Sequence, residues 1–171
     1  MITSESALSN MMATEQFRSQ PYNDPPGSPT YSTGFGHQVK PNEGYLMTTV
    51  LTKAQAIALF KADVAPLEKQ ISYNLKHALN QSQFDALVDF GFNCGSGALA
   101  NVLVTWNATG DMNATAARMK LYNKVRKNGV LVVSDDLTER RLQEALAFVS
   151  ENKTSIAVFA AIGVGAWLLF S

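Results

Sequence analysis

The apolar positions of this chain fall mostly at helical spacing. Phe84, Leu87, Val88 and Phe92 stand at i, i+3, i+4 and i+8, a single stripe, and Asn80-Gln81-Ser82-Gln83 before them is a helix-capping sequence. Thr52-Lys53-Ala54-Gln55 has capping-box spacing and opens another helical stretch, which Pro66 is expected to break or kink near Ala65. A first helix is predicted from about Ser4 to Ser19, closed by Pro21. After the turn cluster Pro25-Pro26-Gly27-Ser28-Pro29, the run from Thr30 to His37 is rich in Thr, aromatic and Gly residues and reads as a small hairpin or short sheet. Asn93 to Gly97 is a turn into a helix near Ala98 to Trp106. Further helices are predicted near Asp111 to Lys124 and, behind a Ser134 cap, from Asp135 to Ser150. The expected class is α+β: a mostly helical globule with one small β element near the N-terminus.

The last stretch has a different pattern. From Thr154 to Ser171 no charged residue occurs, and Ile156, Val158, Phe159, Ile162, Val164 and Trp167 to Phe170 lie among Ala and Gly. As a helix it would reach about 27 Å against a hydrocarbon core of about 30 Å. Trp167 lies near the far end, and Ala157, Ala161 and Gly165 recur every fourth position. A buried terminal helix of a small domain normally keeps one polar face, and this segment has none. The organisation expected is therefore a domain over residues 1–150 and a candidate transmembrane helix over 154–171.

Composition narrows the function. A chain of 171 residues and 18.6 kDa has room for one such domain but not for two catalytic ones. Lys and Arg number 14, as do Asp and Glu, so the broad cationic field that holds nucleic acid is missing. Cys94 has no second cysteine for a disulfide, and Cys94, His37 and His77 make no zinc ligand set. Met1 to Asn10 reads as polar, without the basic start and apolar run of a secretory signal.

The candidate chemistry lies where the first helix meets the hairpin. Glu15 is on the helix's last turns and Asp24 follows nine positions later. Two carboxylates on different elements beside a cleft suit glycosidic cleavage, in which one donates a proton and the other stays ionised. Spacing alone also fits two solvated surface acids. The neighbouring residues are more specific: Glu15, Tyr22, Asp24, Gly27, a Ser or Thr, then Gly34-Phe35-Gly36-His37. Gln83 to Val88 leading into Phe92-Asn93-Cys94-Gly95, Tyr122-Asn123-Lys124, and Leu137 to Glu144 follow in order. Over about Thr14 to Phe148 the chain resembles the phage-type lysozymes, the endolysin family that includes the T-even phage lysozyme. Between Asp24 and His37 it is two residues longer than that family's pattern. Counting from Asp24 places the family's Thr at Thr30, and counting back from His37 places it at Ser32. Alternation puts both on one strand face, and Thr30 is favoured because it keeps the residue type.

The resemblance implies a muramidase cutting the β-1,4 bond between N-acetylmuramic acid and N-acetylglucosamine. Glu15 would be the acid, and Asp24, with Thr30 or Ser32, would orient a water. An inverting course asks for carboxyls roughly 6.5–9.5 Å apart. Tyr22, Gly36 and Asn93 are candidate substrate contacts, with Asn93 alternatively capping its turn. His37 reads as structural behind Glu15. Of Arg140 and Arg141, one is expected in a buried ion pair and the other towards solvent. Tyr122 and Trp106 read as core. No metal or cofactor is expected. The partners expected are peptidoglycan and, through residues 154–171, a host inner or virion membrane, with a monomeric catalytic domain, no nucleic acid and possible holin dependence. The alternatives are a lytic transglycosylase on the same bond, or an inactive membrane-anchored virion structural protein.

Overall fold

The structure, a computed structural model, describes residues 1–24, 27–127 and 129–150. The expected helix over 154–171 lies outside the described residues, and among those no helix is long and apolar enough to cross a membrane. The chain divides into two compact units, one of Leu8–Pro66 and one of Met1–Ala7 with the chain from Leu67 onward.

The first unit holds most of α1 (Glu5–Glu15), strands β1 (Arg18–Asn23), β2 (Tyr31–Gly34) and β3 (His37–Gln38), a 3-10 segment (Pro41–Met47) and the first half of α2 (Lys53–Asn74). The first helix ends four residues earlier than its pattern predicts. Gln16 donates its N–H to Met12 O at 3.1 Å and takes φ +59°, a left-handed conformation that turns the chain out of the helix before Pro21 is reached. Pro21 instead lies in β1, at the edge of an antiparallel sheet ordered β1-β2-β3. An edge strand tolerates a residue with no N–H, and the ladder shifts register between Arg18 and Tyr22 around it. Leu8, Met11, Phe35, Leu46, Leu51, Ala56, Phe60 and Val64 form the core here.

Helix α2 opens as predicted. Thr52 Oγ1 accepts the Gln55 N–H at 3.3 Å, and Gln55 Oε1 accepts the Thr52 N–H at 2.8 Å. Pro66 does not break it, and the helix runs on to Asn74 with Pro66 inside. A proline there removes one backbone bond and costs about 3 kcal/mol. Val64, Leu67 and Ile71 are buried on either side, and that packing outweighs the local penalty.

The second unit is built on α3 (Gln81–Cys94), α4 (Ser96–Thr109), α5 (Met112–Lys120) and α6 (Asp135–Val149). The expected caps at Asn80 and Ser134 form, with Asn80 Oδ1 accepting the Gln83 N–H at 2.9 Å and Ser134 Oγ the Leu137 N–H at 3.4 Å. Phe84, Leu87 and Val88 are buried, but the fourth large side chain sealed in is Phe90, whereas Phe92 is half-buried. Helix α3 is buried on nearly every side, so one stripe underdescribes it. A Cβ at Gly91 would stand 2.8 Å from Leu99 Cδ2, so α3 and α4 pack closely there and a larger residue would displace the Leu99 side chain. Trp106 lies edge-on to Phe148 with centroids 5.5 Å apart, as a core residue. Helix α5 stops at Lys120, four residues short of its expected end, and the chain then forms an antiparallel hairpin of β4 (Lys124–Lys127) and β5 (Val130–Val133), a second β element where the sequence reading expected one only near the N-terminus.

At the centre of this unit Arg141 is fully buried. Its Nη2 donates to Glu144 Oε1 at 2.5 Å and to Asn93 Oδ1 at 2.6 Å, Nη1 meets Cys94 Sγ, and the guanidinium lies 5.3 Å from the Phe90 ring centroid. Arg140 pairs with Asp89 at 3.3 Å and with Glu144 at 3.4 Å. Both arginines are thus paired, where one was expected to face solvent. Burial pushes the Cys94 thiol up to about 11, leaving it an unreactive packing group. Burial, with the charge of Asp89 adding to it, pushes Glu144 up to about 8 against the pull of the two arginines.

In the unfolded chain Glu144 ionises near its ordinary 4.5, so between there and about 8 the folded state holds the extra proton. Stability from this group is full below that window and is lost as pH rises through it, by at most about 1.4 kcal/mol per pH unit. Glu144→Gln keeps an acceptor for Arg141 and flattens the slope. Urea denaturation at about pH 5 and pH 8 measures it, and an unchanged slope in the variant would assign the dependence to other groups.

Candidate active site

Glu15 is the last residue of α1 and is half-buried. Its carboxyl lies against the turn between β2 and β3. A Cβ built on Gly36, at φ +79°, would stand 3.2 Å from Glu15 Oε2. The backbone angle favours glycine at residue 36, and a Cβ there would also press the Glu15 carboxyl back by a few tenths of an ångström. Helix end and turn are brought together by the left-handed Gln16 on one side and by packing of Phe35, the residue between the two glycines, on the other. The Phe35 ring lies 5.6 Å from that of Phe17 and 6.2 Å from that of Phe60.

Tyr22 and Ser32 are paired across β1 and β2, so both side chains stand on one face of the sheet, and Ser32 is buried. Arg18 lies over the Tyr22 ring, its guanidinium carbon 5.1 Å from the centroid. Burial first, and then the charges of Asp24 and Glu15, push the Tyr22 hydroxyl above its ordinary range, opposed by Arg18. Tyr22 thus stands within electrostatic reach of both predicted carboxylates. Asp24 is exposed and follows β1 directly.

Thr30 is occupied differently. Its Oγ1 donates to the main-chain carbonyl of Asp24 at 2.5 Å, its N–H bonds Ser28 Oγ at 3.0 Å, and the Asp24 N–H bonds Thr30 O at 3.1 Å. The residue closes the neck of the loop that begins at Asp24. It also lines a groove of about 340 Å³ with Tyr31, Lys40 and Met47.

His37 is buried and pairs with Thr33 across β2 and β3, on the face opposite Ser32. Its Nδ1 lies 2.7 Å from Asp63 Oδ2 and its Nε2 2.9 Å from Glu43 Oε2, so both nitrogens are engaged by carboxylates. The ring ties the residue after Gly36 to α2 and to the 3-10 segment. The Lys40 main-chain N–H, followed by the ring and charge of His37 and the charge of Lys40, holds the Glu43 carboxyl below its usual range against desolvation. Asp63, Glu43, Arg18 and the turn at Gln16 were not singled out in the sequence. Asp63 lies 26 positions from His37, and no local pattern links them.

Asn93 and Arg140 belong to the second unit and take part in its buried charge network. Asn93 does not cap its turn. The Gly95 N–H bonds Gly91 O at 2.8 Å, and the Asn93 side chain accepts from Arg141 instead.

The family model for phage lysozyme matches residues 12–144. An endolysin of Salmonella phage P22 is 31% identical over 152 residues, covering 88% of this chain and 99% of that protein. An endolysin of Bacillus phage B103 is 28% identical over 161 residues, which are 92% of this chain but 57% of the relative, so the chain spans under three fifths of that protein's length. The solved endolysin of Escherichia coli O157:H7 phage FAHEc1 superposes with a TM-score of 0.77 at 26% identity, covering 89% of this chain and 96% of that one. With the match extending over most of its length, from the end of α1 to α6, the chain belongs to the phage lysozyme family.

Proposed function

We propose that the chain is a peptidoglycan-degrading muramidase that hydrolyses the β-1,4 bond between N-acetylmuramic acid and N-acetylglucosamine and serves phage lysis. The observation that carries this reading is the half-buried Glu15 carboxyl held against the glycine turn, with Asp24 exposed beside Tyr22. Glu15 donates its proton to the leaving glycosidic oxygen as the sugar gains oxocarbenium character. Asp24, as the carboxylate, stabilises that charge and orients a water on the opposite face. For the hydroxyl that helps to hold the water, the geometry favours Ser32 over Thr30. Ser32 shares the face of Tyr22, whereas the Thr30 hydroxyl is spent on the Asp24 carbonyl. The family match and the endolysin relatives support the substrate class.

Residues 154–171 are the proposed membrane anchor, on the strength of 18 uncharged, largely apolar positions. The anchor would keep the wall-cutting domain at a membrane.

Three outcomes are expected. Glu15→Gln lowers turbidity loss of purified peptidoglycan by about 10²-fold or more, with a reducing sugar end on the wild-type muropeptides. Equal activity in the variant removes the mechanism, and anhydro ends would mean the transglycosylase route. Ser32→Ala lowers kcat by roughly 2–10-fold with the melting temperature kept, while Thr30→Ala lowers stability by about 1 kcal/mol with smaller loss of rate. The reverse ordering would return the role to Thr30. A chain ending at Asn152 is expected to leave the membrane fraction that retains the full chain, and a full chain that stays in solution as a monomer would remove the anchor.

A further inference from the structure

Charge in this neutral chain is unevenly placed. Between Asp111 and Asp135 there are five cations, Arg118, Lys120, Lys124, Arg126 and Lys127, and no acid. Three of the five lie on the β4–β5 hairpin. The register pairs Lys124 with Val133 and Arg126 with Leu131, which puts these four side chains on one face. All four are exposed, Leu131 at 56% and Val133 at 58%. On the other face Val125 and Val132 are half-buried, while Lys127 and Val130 are exposed, Val130 at 62%. Leu131 and Val133 are thus more than half in water beside two cations, on the face that the half-buried valines turn away from.

We propose that this exposed face docks on an anionic lipid bilayer, Lys124 and Arg126 meeting the headgroups while Leu131 and Val133 enter the acyl boundary. Both parts of the surface are needed for the assignment. Cations alone fit any polyanion, including a wall polymer, but an anionic polymer offers no apolar phase for two exposed aliphatic side chains. A purely apolar partner would leave the cations without anions. A bilayer of anionic headgroups over hydrocarbon satisfies both at one depth. The inference goes beyond wall cleavage, and lipid quenching and muropeptide release are separate readouts, so either fails without the other.

The experiment uses the full chain, which the proposed anchor holds on vesicles of either lipid, so the readout is local to the hairpin. Leu131→Trp is placed on vesicles of mixed phosphatidylglycerol and phosphatidylcholine and on vesicles of phosphatidylcholine alone, each with lipids brominated near the glycerol end of their chains. Quenching of the added emission, over that of Trp106 and Trp167, is expected on the anionic vesicles and falls as salt rises. Adding Lys124→Gln with Arg126→Gln lowers the docked-to-free ratio roughly 25-fold, about fivefold per cation. Adding Val133→Ser lowers it severalfold. These variants keep wild-type cleavage of soluble wall fragments, which shows that they fold. The proposal is overturned if Leu131→Trp gains no quenching on anionic vesicles, if it is quenched equally on phosphatidylcholine alone, or if the charge variant leaves the quenching unchanged. It is equally overturned if Val133→Ser leaves it unchanged, since the aliphatic half of the face would then take no part.

Discussion

The candidate site in the first unit depends on the approach of the Glu15 carboxyl to the backbone of Gly36, close enough that a Cβ there would stand 3.2 Å from Oε2. Three local features maintain it. Gln16 turns left-handed and ends α1 with Glu15 on its final turn, a conformation costing a non-glycine residue of order 1 kcal/mol. Gly34 and Gly36, at φ +65° and +79°, fold β2 back into β3. His37 then holds the far side of that turn to Asp63 and Glu43. Strain at Gln16 persists because the surrounding packing of Phe17, Phe35 and Phe60 overdetermines it. The carboxyl is positioned by backbone geometry on both sides, which is more rigid than positioning by a flexible side chain.

The buried charges of the two units are handled alike, and with different results. Around His37 each ring nitrogen faces one carboxylate, and Lys40 stands 3.6 Å from Asp63. Around Arg141 the carboxylates Glu144 and Asp89 act on one another as well as on the arginines, and desolvation prevails at Glu144. A buried pair of this kind is poor evidence of stability, since attraction between the charges repays a desolvation cost of several kcal/mol per ion only in favourable geometry. It does fix orientation. Arg141 bonds Asn93 and meets Cys94 at the end of α3 while held by Glu144 on α6, so the pairing sets how those two helices align.

Much of this was legible from local chemistry. The capping sequences at Thr52, Asn80 and Ser134 mark helix starts because their side chains bond backbone groups three residues on. The end of α1 was not legible, because glutamine carries no left-handed signature. Pro66 misleads for the converse reason: its local penalty is real, and tertiary packing of Val64, Leu67 and Ile71 overrides it. The β4–β5 hairpin had a signal that the expectation of a single β element passed over, the Asn128-Gly129 dipeptide before a run of Val and Leu. At the site, Glu15, Tyr22, Asp24 and Gly36 were legible as a spaced motif. The partners of His37 were not, since Asp63 reaches it from another element and only the fold brings them together.

The hydroxyl beside Asp24 shows where counting along the chain and geometry part. Counting from Asp24 favours Thr30, which keeps the expected residue type. In the structure the Thr30 hydroxyl bonds the Asp24 carbonyl, the Asp24 N–H bonds Thr30 O, and the Asn23 side chain bonds Ser28 O. The Thr30 hydroxyl therefore already has a structural partner. The ladder pairs Tyr22 with Ser32, Ser32 with Gln38 and Thr33 with His37, which sets the side chains that share the Tyr22 face. Two extra residues leave the alternation of faces unchanged, where one would reverse it, so periodicity leaves both counts open. What favours Ser32 is that it shares the Tyr22 face while the Thr30 hydroxyl is engaged elsewhere.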